Sequence, residues 1–270
     1  MTEQIHMSPT RAFKFNKNPL RALQDYNGEI EWWEGDNTPL LFGNIVHNLA
    51  EGRYMLDGFA EDDKASIIST RGKTKGDLKA AFADAVVIGG ALRKYVEKID
   101  PDNKAQFEVP IEEPDQVIYK TDDMSEGISQ VLDGKIDYLL TGRADMVTEN
   151  AIYDFKTVAP MEFDGLLKFG SFRDNREEEY KMQVAMYCAV FDIPEAHILY
   201  IKKKADTPFI YDYMLTLDDL HKGLEQVSQF INKGVLTVAG IEKATAINDG
   251  SKWSYEHFGG VINDSQTIEI

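Results

Sequence analysis

Residues 142–157, with the sequence GRADMVTENAIYDFKT, decide the expected fold because they form two strand-like runs around a turn. The Glu-Asn pair at 149–150 suits a two-residue hairpin turn, since asparagine tolerates a left-handed backbone. That turn sets Asp145 directly opposite Asp154 on the neighbouring strand, with Cβ atoms roughly 5 Å apart. Because side chains alternate along a strand, Asp154 and Lys156 point to the same face.

The facing carboxylates of Asp145 and Asp154 would repel each other unless a positive charge lay between them. A divalent cation with oxygen ligands is the usual solution. The alternative is an exposed hairpin with ordinary polar residues, because an Asp-x-Lys triplet is common in strands. The hairpin alone leaves a metal site and a plain surface ribbon as equal alternatives.

A helix is predicted to follow the Thr-Pro pair at 38–39, with threonine as the N-cap, and to end at Gly52. Gly43, His47 and Glu51 are spaced by four residues and therefore stack on one face of this helix. The glycine permits a neighbouring backbone to approach closely, while the two other side chains project together. A lone helical histidine is, however, more often a hydrogen-bonded core residue than a ligand.

A second helix, predicted over residues 177–192, carries Gln183 and Tyr187 on one face. Alone, such a pair is more often ordinary helix surface. In chain order, however, the patterns G-x3-H-x3-E, G-x2-D, D-x-K-T and Q-x3-Y resemble the RecB-like branch of the PD-(D/E)XK nuclease superfamily. The segments SPTRA at 8–12 and RGKTKGDLKAAF at 71–82 look more narrowly like phage exonucleases of the exonuclease VIII (RecE) and lambda-exonuclease type.

The resemblance covers approximately residues 8–215 and implies an α/β fold, in which a central mixed β-sheet flanked by helices forms a restriction-endonuclease-like core. We expect this nuclease domain to span residues 1–235, and residues 236–270 to form a C-terminal tail or docking arm. The sequence departs from the family pattern at Ala144, where many members have a proline before the aspartate. Asp154 stands where the family allows either aspartate or glutamate.

The resemblance also implies a Mg²⁺-dependent exodeoxyribonuclease, with Mn²⁺ as the alternative ion. It would digest linear double-stranded DNA 5′→3′ and leave 3′ single-stranded overhangs for phage-type recombination. By the same resemblance, Asp145 and Asp154 would coordinate one or two metal ions, joined by the backbone carbonyl of Phe155. His47 and Glu51 would complete or orient the metal site from the helix.

Lys156 would position the attacking water and stabilise charge on the phosphate, while Gln183 and Tyr187 would position the DNA strand. The family further implies a homo-oligomeric ring around the DNA, a trimer or a tetramer, and a RecT-like single-strand annealing protein as partner. If the protein is phage-encoded, it would act in the cytoplasm of the host cell.

The net charge of −17 is the strongest argument against DNA binding, because phosphate contacts dominate nucleic-acid affinity. Positive charge is nevertheless concentrated in short segments. Residues 4–24 are basic and contain no acidic residue, and residues 64–81 are basic with Asp77 as their single acidic residue. An enclosed basic channel within an acidic exterior fits this distribution, and so does simple surface solubility. The residues expected to contact DNA are Arg11 or Arg21 at a 5′-phosphate, and Arg71, Lys73 and Lys75 along the duplex backbone.

Cys188 is the single cysteine, which excludes internal disulfides and a four-cysteine iron–sulfur cluster. The five histidines lack zinc-ligand spacing, so we expect no zinc. No run of about 18 apolar residues and no signal-peptide core occur, which favours a cytosolic protein without membrane contact. Two other classes stay open: a catalytically silent DNA-binding module, and an acidic protein adaptor that retains the nuclease fold.

Apolar periodicity and turn residues predict the remaining elements. One long strand is expected over 136–147, a strand or loop over 65–70, and a helix over 77–99 with a break near the glycines at 89–90. Residues 160–175 contain a proline and two glycines and are expected to form a mobile substrate loop. Further strands are expected over residues 105–111, 116–120, 197–203 and 209–215, and further helices over residues 19–26 and 217–233.

Overall fold

The computed structural model describes residues 4–33, 35–111, 127–207 and 209–259, which form two β-sheets flanked by helices, the expected mixed α/β architecture. The strands are β1 (Ile5–Met7), β2 (Gln106–Pro110), β3 (Gly127–Leu132), β4 (Ile136–Thr141), β5 (Arg143–Val147), β6 (Ala151–Val158), β7 (Glu195–Lys202) and β8 (Ile210–Met214). The helices are α1 (Pro9–Lys17), α2 (Pro19–Tyr26), α3 (Thr38–Ala50), α4 (Glu61–Ile67), α5 (Ala83–Ile99), α6 (Pro160–Phe169), α7 (Arg176–Phe191), α8 (Leu217–Val238) and α9 (Lys252–His257). Within these ranges, no helix is long and apolar enough to cross a membrane.

The central sheet has five strands in the order β2-β5-β6-β7-β8, with β6 and β7 parallel and the other neighbours antiparallel. β5 and β6 form the predicted hairpin, in which Met146 pairs with Tyr153. One step further along this antiparallel ladder, Asp145 lies opposite Asp154. The register predicted from the turn is therefore confirmed.

Each face of the central sheet is covered by its own hydrophobic core. On one face, the apolar sides of α3 and α5 pack with Leu199 and Ile201 of β7. On the other face, α1, α7 and α8 pack with Ile198 and Tyr200 of the same strand. Fully burying one such side chain stabilises the fold by about 1.5–3 kcal/mol, so the sheet that carries the hairpin is held firmly from both sides.

Residues 136–147, expected as one strand, are two strands in different sheets. β4 pairs with β1 and β3 in a smaller sheet of order β1-β4-β3, whereas β5 belongs to the central sheet. The chain changes sheet at Gly142. A Cβ atom there would lie 2.7 Å from a side-chain carbon of Ile111 and 2.9 Å from one of Tyr187, so only glycine fits between them.

The start of α3 and the middle of α5, two helices in close contact, differ from the sequence prediction. Helix α3 has Asn37 as its N-cap, one residue before the expected cap, and Gly52 follows its end with a φ of 77°. Helix α5 continues through residues 89–90 without the expected break. A Cβ atom at Gly89 would lie 2.8 Å from the side chain of Leu49 on α3, so this glycine serves helix packing and not a kink.

Two loop predictions are corrected as well. Residues 65–70 belong partly to α4, and the chain beyond it forms a single antiparallel bridge between Ile68 and Leu78. Residues 160–175, expected as a mobile loop, contain α6, which begins with a proline preorganised for the first helical turn. The strand expected over 116–120 lies outside the described residues.

The C-terminal segment packs back onto α1 and α2. Helix α8 extends past residue 235, where we expected the domain to end. Beyond it, the amide of Asn18 donates to the carbonyl of Ile247 (2.6 Å), and the indole N–H of Trp253 donates to Oε1 of Gln24 (2.9 Å). The described part of the tail therefore lies on its own domain.

Candidate metal and active centre

The β5–β6 hairpin places two carboxylates and an ammonium next to one another. The backbone N–H of Phe155 donates to Oδ2 of Asp145 (2.6 Å), which fixes that carboxylate across the hairpin. Nζ of Lys156 lies 2.8 Å from the carboxylate of Asp154 and donates a hydrogen bond to it. Because Asp154 is only 1% exposed, this ion pair is held away from bulk water.

Burial is the largest influence on the pKa values of the two aspartates. It raises the pKa of Asp145 and of Asp154 to about 6, against an opposing effect of Lys156. Burial also lowers the pKa of Lys156, but the two carboxylates outweigh it and hold this pKa above its ordinary value. Nζ of Lys156 also lies 2.8 Å from Oδ2 of Asp154, so the ammonium neutralises part of this carboxylate's charge. The side chain of Asp145 is 18% exposed, and at both aspartates burial outweighs the attraction of the lysine.

Helix α3 brings His47 to the hairpin. A Cβ atom at Gly43 would lie 3.1 Å from Oγ1 of Thr157, so the glycine lets the helix approach β6, as predicted. Nε2 of His47 lies 3.2 Å from the carbonyl oxygen of Phe155, and Nδ1 lies 4.0 Å from Oδ1 of Asp145. If Nε2 donates to the carbonyl, Nδ1 presents its lone pair towards the carboxylate. Burial is the largest cause of a lowered His47 pKa, which favours the neutral ring that binds metals.

Glu108 joins this group and was missed in the sequence. It lies on β2 opposite Asp145, because the residues on either side of it pair with the neighbours of Asp145. Its backbone is left-handed, with a φ of 52°. Donor atoms of His47, Glu108 and Asp145 all lie within 4.8 Å of one another, an arrangement that could hold a metal ion. The only available signal was a lone acidic residue in the predicted strand 105–111.

Glu51 pairs with Arg53 and is not part of that donor group. Nε of Arg53 lies 2.7 Å from Oε2 of Glu51, whose side chain is 5% exposed. Burial raises the pKa of Glu51 to about 7, with the guanidinium opposing the shift. Glu108 and Asp145 raise this pKa further, so Glu51 is an acidic neighbour of the group, and its expected role in completing or orienting the metal site stays a prediction.

Gln183 and Tyr187 of α7 support the start of β5. The Gln183 amide donates to Oη of Tyr187 (3.0 Å), and that oxygen accepts from the backbone N–H of Arg143 (3.3 Å). Tyr187 is 2% exposed, and burial raises its pKa to about 12. Its interior position corrects the expected DNA contact, because the ring packs against Gly142 and does not face solvent.

The two arginines of the first basic segment, residues 4–24, differ in exposure. Arg21 is 5% exposed; its guanidinium lies 3.1 Å from Oδ2 of Asp249 and donates to the carbonyl of Trp32 at 2.6 Å. It is therefore not available to a 5′-phosphate, which corrects that part of the prediction. Arg11 is exposed and donates to the carbonyl of His6 at 3.2 Å.

The second basic segment is open to solvent. Arg71, Lys73 and Lys75 are all exposed and lie in the loop closed by the bridge between Ile68 and Leu78. Over the parts of the chain that the structure describes, none of the three makes an ion pair. Their charge is available to a ligand, whereas that of Arg21 is not.

The matching family model is described as a PDDEXK-like domain of unknown function (DUF3799) and aligns with residues 8–244. The chain belongs to this family. Its motif letters correspond to the geometry above, with Asp145 across the hairpin from Asp154 and Lys156 two residues further along the strand. The expected membership of the PD-(D/E)XK superfamily is thus confirmed, while the narrower likeness to exonuclease VIII and lambda exonuclease stays a prediction.

Solved structures add support for the fold of this PDDEXK-like protein. The crystal structure of a candidate exonuclease from Eubacterium rectale matches with a TM-score of 0.63 at 18% identity, covering 97% of this chain and 90% of the other. At that identity the match shows a shared fold. A structure of SSO0001 covers 85% of this chain and 78% of its own at 15% identity, but its TM-score of 0.36 is too low to support an argument. No curated protein matches the chain.

Proposed function

We propose that this protein is a Mg²⁺-dependent exodeoxyribonuclease that digests linear double-stranded DNA 5′→3′ and leaves 3′ overhangs for phage-type recombination. The chain belongs to a family of PDDEXK-like domains. One observation in the structure supports catalytic activity in particular. The buried Lys156–Asp154 pair lies beside a group of metal donors that includes Asp145. An ion pair that only stabilised the fold would not need a second, partly buried carboxylate with a raised pKa beside it.

The donor set fits a divalent cation. His47, Glu108 and Asp145 would hold the ion, and the carboxylate of Asp154, which is paired with Lys156, lies across the hairpin from Asp145. Carboxylate oxygens suit Mg²⁺, and an imidazole among them also suits Mn²⁺. A cation at this position supplies Lewis-acid stabilisation of charge on the phosphate and the leaving oxygen. Glu51, as an acidic neighbour of Glu108 and Asp145, would orient this donor set.

Lys156 is the second functional group of the proposal. Its raised pKa keeps the ammonium protonated, so it would stabilise negative charge on the phosphate and orient the attacking water. Asp154 holds the ammonium in place at 2.8 Å, and the ring of Tyr180 lies 5.2 Å from it. A group fixed in this way needs no reorganisation when the phosphate arrives.

The decisive experiment is digestion of an end-labelled linear duplex, with a covalently closed circle of the same sequence as control. We expect Mg²⁺-dependent loss of the linear DNA from its 5′ ends, no attack on the circle, and complete inhibition by EDTA. DNA binding without cleavage in Mg²⁺ or Mn²⁺ would overturn the proposal in favour of a silent binding module. Cleavage of the circle would replace the exonuclease with an endonuclease.

End selection is proposed to depend on Arg11. With Arg21 buried, Arg11 is the arginine of the first basic segment that can reach a ligand, and it lines a pocket of about 260 Å³ with Lys14 and Tyr26. A guanidinium can bind a terminal phosphate through two parallel hydrogen bonds. Arg11→Ala should therefore erase the preference for 5′-phosphorylated over 5′-hydroxyl ends. Lys73→Ala should instead weaken binding to both ends alike and reduce the salt dependence.

The assembly is a proposal that rests on the family likeness. We propose that copies of the chain form a trimeric or tetrameric ring around DNA, and that a RecT-like annealing protein receives the single-stranded product. Light scattering of the purified protein measures the first point directly. A monomer that digests DNA one nucleotide per encounter would contradict the ring.

A further inference from the structure

A polar cleft of about 380 Å³ opens beside the candidate metal donors and is lined in part by two arginines that the mechanism above does not use. His47 and Glu108 lie at its wall, so a DNA strand in this cleft would contact two of the three metal donors. The arginines are Arg53, from the turn after α3, and Arg143, the first residue of β5.

Each arginine is paired with a glutamate next to the donor group. Nε of Arg53 lies 2.7 Å from Glu51, and Nη1 of Arg143 lies 3.4 Å from Glu108. The arginine side chains are 40% and 47% exposed, respectively, so both guanidinium groups can turn into the cleft. The Arg143–Glu108 pair is partly exposed on both sides, so it contributes little to stability and is readily exchanged for another anion. Arg53 instead holds the buried Glu51 and lies 3.8 Å from Asp57, and the exposed part of its guanidinium remains open to a phosphate.

We propose that Arg53 and Arg143 bind backbone phosphates of the substrate strand in this cleft, and that the two glutamates hold them there until DNA arrives. The inference rests on the proposed nuclease function. Guanidinium groups suit phosphates because their planar fork donates two parallel hydrogen bonds. The cleft also contains Asp57 and Asp63, so without the two arginines it would repel a nucleic-acid strand.

The pairing of Arg143 couples this phosphate site to the metal. Glu108 is both the partner of Arg143 and a member of the donor group. A cation that takes the carboxylate leaves the guanidinium free for a phosphate, so cation and DNA assist each other's binding. Neutralising Glu108 should have the same effect on Arg143 without any cation present.

The test measures the affinity of a fluorescently labelled duplex in EDTA, where no cleavage interferes. We expect Arg53→Ala and Arg143→Ala each to weaken binding by about tenfold, as for the loss of a charge-assisted hydrogen bond, and to lower the salt slope by about one. Arg143→Lys should recover part of the affinity. Lys104→Ala is the matched control, because Lys104 forms an exposed ion pair with Asp102 away from the cleft (3.0 Å) and its loss removes the same charge.

Glu108→Gln should change the DNA affinity in the opposite direction from the two arginine variants. It should bind DNA in EDTA at least as tightly as the wild type, although it loses cleavage. Unchanged binding by Arg143→Ala, or an equal loss in Lys104→Ala, would overturn the inference even if the wild type digests DNA normally. A wild type that binds no DNA in EDTA or in Mg²⁺ would overturn both the inference and the proposed function.

Discussion

Two histidine–carboxylate clusters lie on the central sheet and differ in how far their polar groups are satisfied. In the first, which we call the closed cluster, Nδ1 of His197 lies 2.7 Å from Asp212 and Nε2 lies 3.2 Å from Glu195. Tyr95 donates to the other oxygen of Asp212. The hydrogen bond with Asp212 raises the pKa of His197, and the pKa of Asp212 is lowered despite its burial.

The second, which we call the open cluster, consists of His47, Asp145, Asp154 and Lys156, and only its lysine is shifted towards the charged form. Burial lowers the pKa of its histidine and raises the pKa of both its aspartates. In the closed cluster, hydrogen bonds and charge shift both partners towards their charged forms, whereas in the open cluster burial outweighs the attraction of Lys156 at both aspartates. The comparison supports a structural role for the closed cluster and fits the metal-binding role proposed for the open cluster.

Removing a carboxylate from the open cluster should have the largest effect. Asp145→Ala and Asp154→Ala are each expected to reduce the cleavage rate by about a thousandfold or more, because each removes a carboxylate from the centre in which the cation would supply several kcal/mol of charge stabilisation. Asp212→Asn, from the closed cluster, is the matched control and should cleave DNA at the wild-type rate. Turnover at the wild-type rate in either aspartate variant would end the metal assignment.

Lys156 should give the next largest effect and shows whether the ion pair serves chemistry as well as folding. Lys156→Ala and Lys156→Arg should both lose most activity while DNA binding persists, because a planar fork does not replace a compact ammonium. Only the alanine variant leaves Asp154 buried without a partner, so it alone should unfold more easily, by about 3–5 kcal/mol. Chemical denaturation and single-turnover cleavage measure the two effects separately. If Lys156→Ala weakens DNA binding but leaves the rate of the bound complex intact, the residue anchors phosphate instead.

A substitution in the closed cluster should lower the stability of the protein and leave its cleavage activity unchanged. His197→Gln is expected to cleave DNA normally and to melt about 2–4 °C lower at pH 6, which corresponds to roughly 1 kcal/mol. A histidine whose pKa is raised in the folded state stabilises it fully below the ordinary value of 6.5 and loses that contribution as the pH rises through the raised pKa. The melting difference should therefore shrink by pH 9. A difference that stays constant between pH 6 and pH 9 would show that packing, and not the charge pair, is responsible.

The smallest effect concerns the metal-free open cluster. Asp145→Asn should melt slightly above the wild type in EDTA at pH 8, by about 1–2 °C, since it removes a partly buried charge that Glu108 repels. The pKa of Asp145 is about 6 in the fold against 3.8 ordinarily, so ionisation costs stability increasingly as the pH rises through this interval. The advantage should vanish near pH 4 and reverse in Mg²⁺. A variant that is less stable than the wild type at pH 8 in EDTA would show that the carboxylate is already satisfied without metal.

The sequence predicted the parts of the open cluster that depend on local rules. Alternation and the Glu-Asn turn were sufficient for the register between Asp145 and Asp154, and four-residue spacing placed Gly43 and His47 on one face. Glu108 could not be predicted, because its place depends on pairing with β5 and on a left-handed backbone at a residue type that rarely adopts it. Recognition of the family added the role of Lys156, which spacing alone would not supply.

Predictions failed where a residue depends on a distant partner. Arg21 looked like part of a DNA-binding segment, but the carboxylate that neutralises it, Asp249, is 228 residues away in the sequence. The strand expected over 136–147 failed for a similar reason, because the requirement for a change of sheet at Gly142 comes from Ile111 and Tyr187. A run of charged or apolar residues does not show which residues far away in the sequence will contact it in the fold.

The contact between the first helices and the C-terminal segment has a consequence for the timing of folding. The N–H of Leu20 donates to the carbonyl of Thr245 at 3.0 Å, and Arg21 is buried against Asp249. While the ribosome is still making the chain, this arginine has no carboxylate to neutralise it, and burying it alone would cost several kcal/mol. Helix α2 can therefore dock in its final position only after the segment around Asp249 has been synthesised. The N-terminal helices thus wait for a part of the chain made more than 200 residues later.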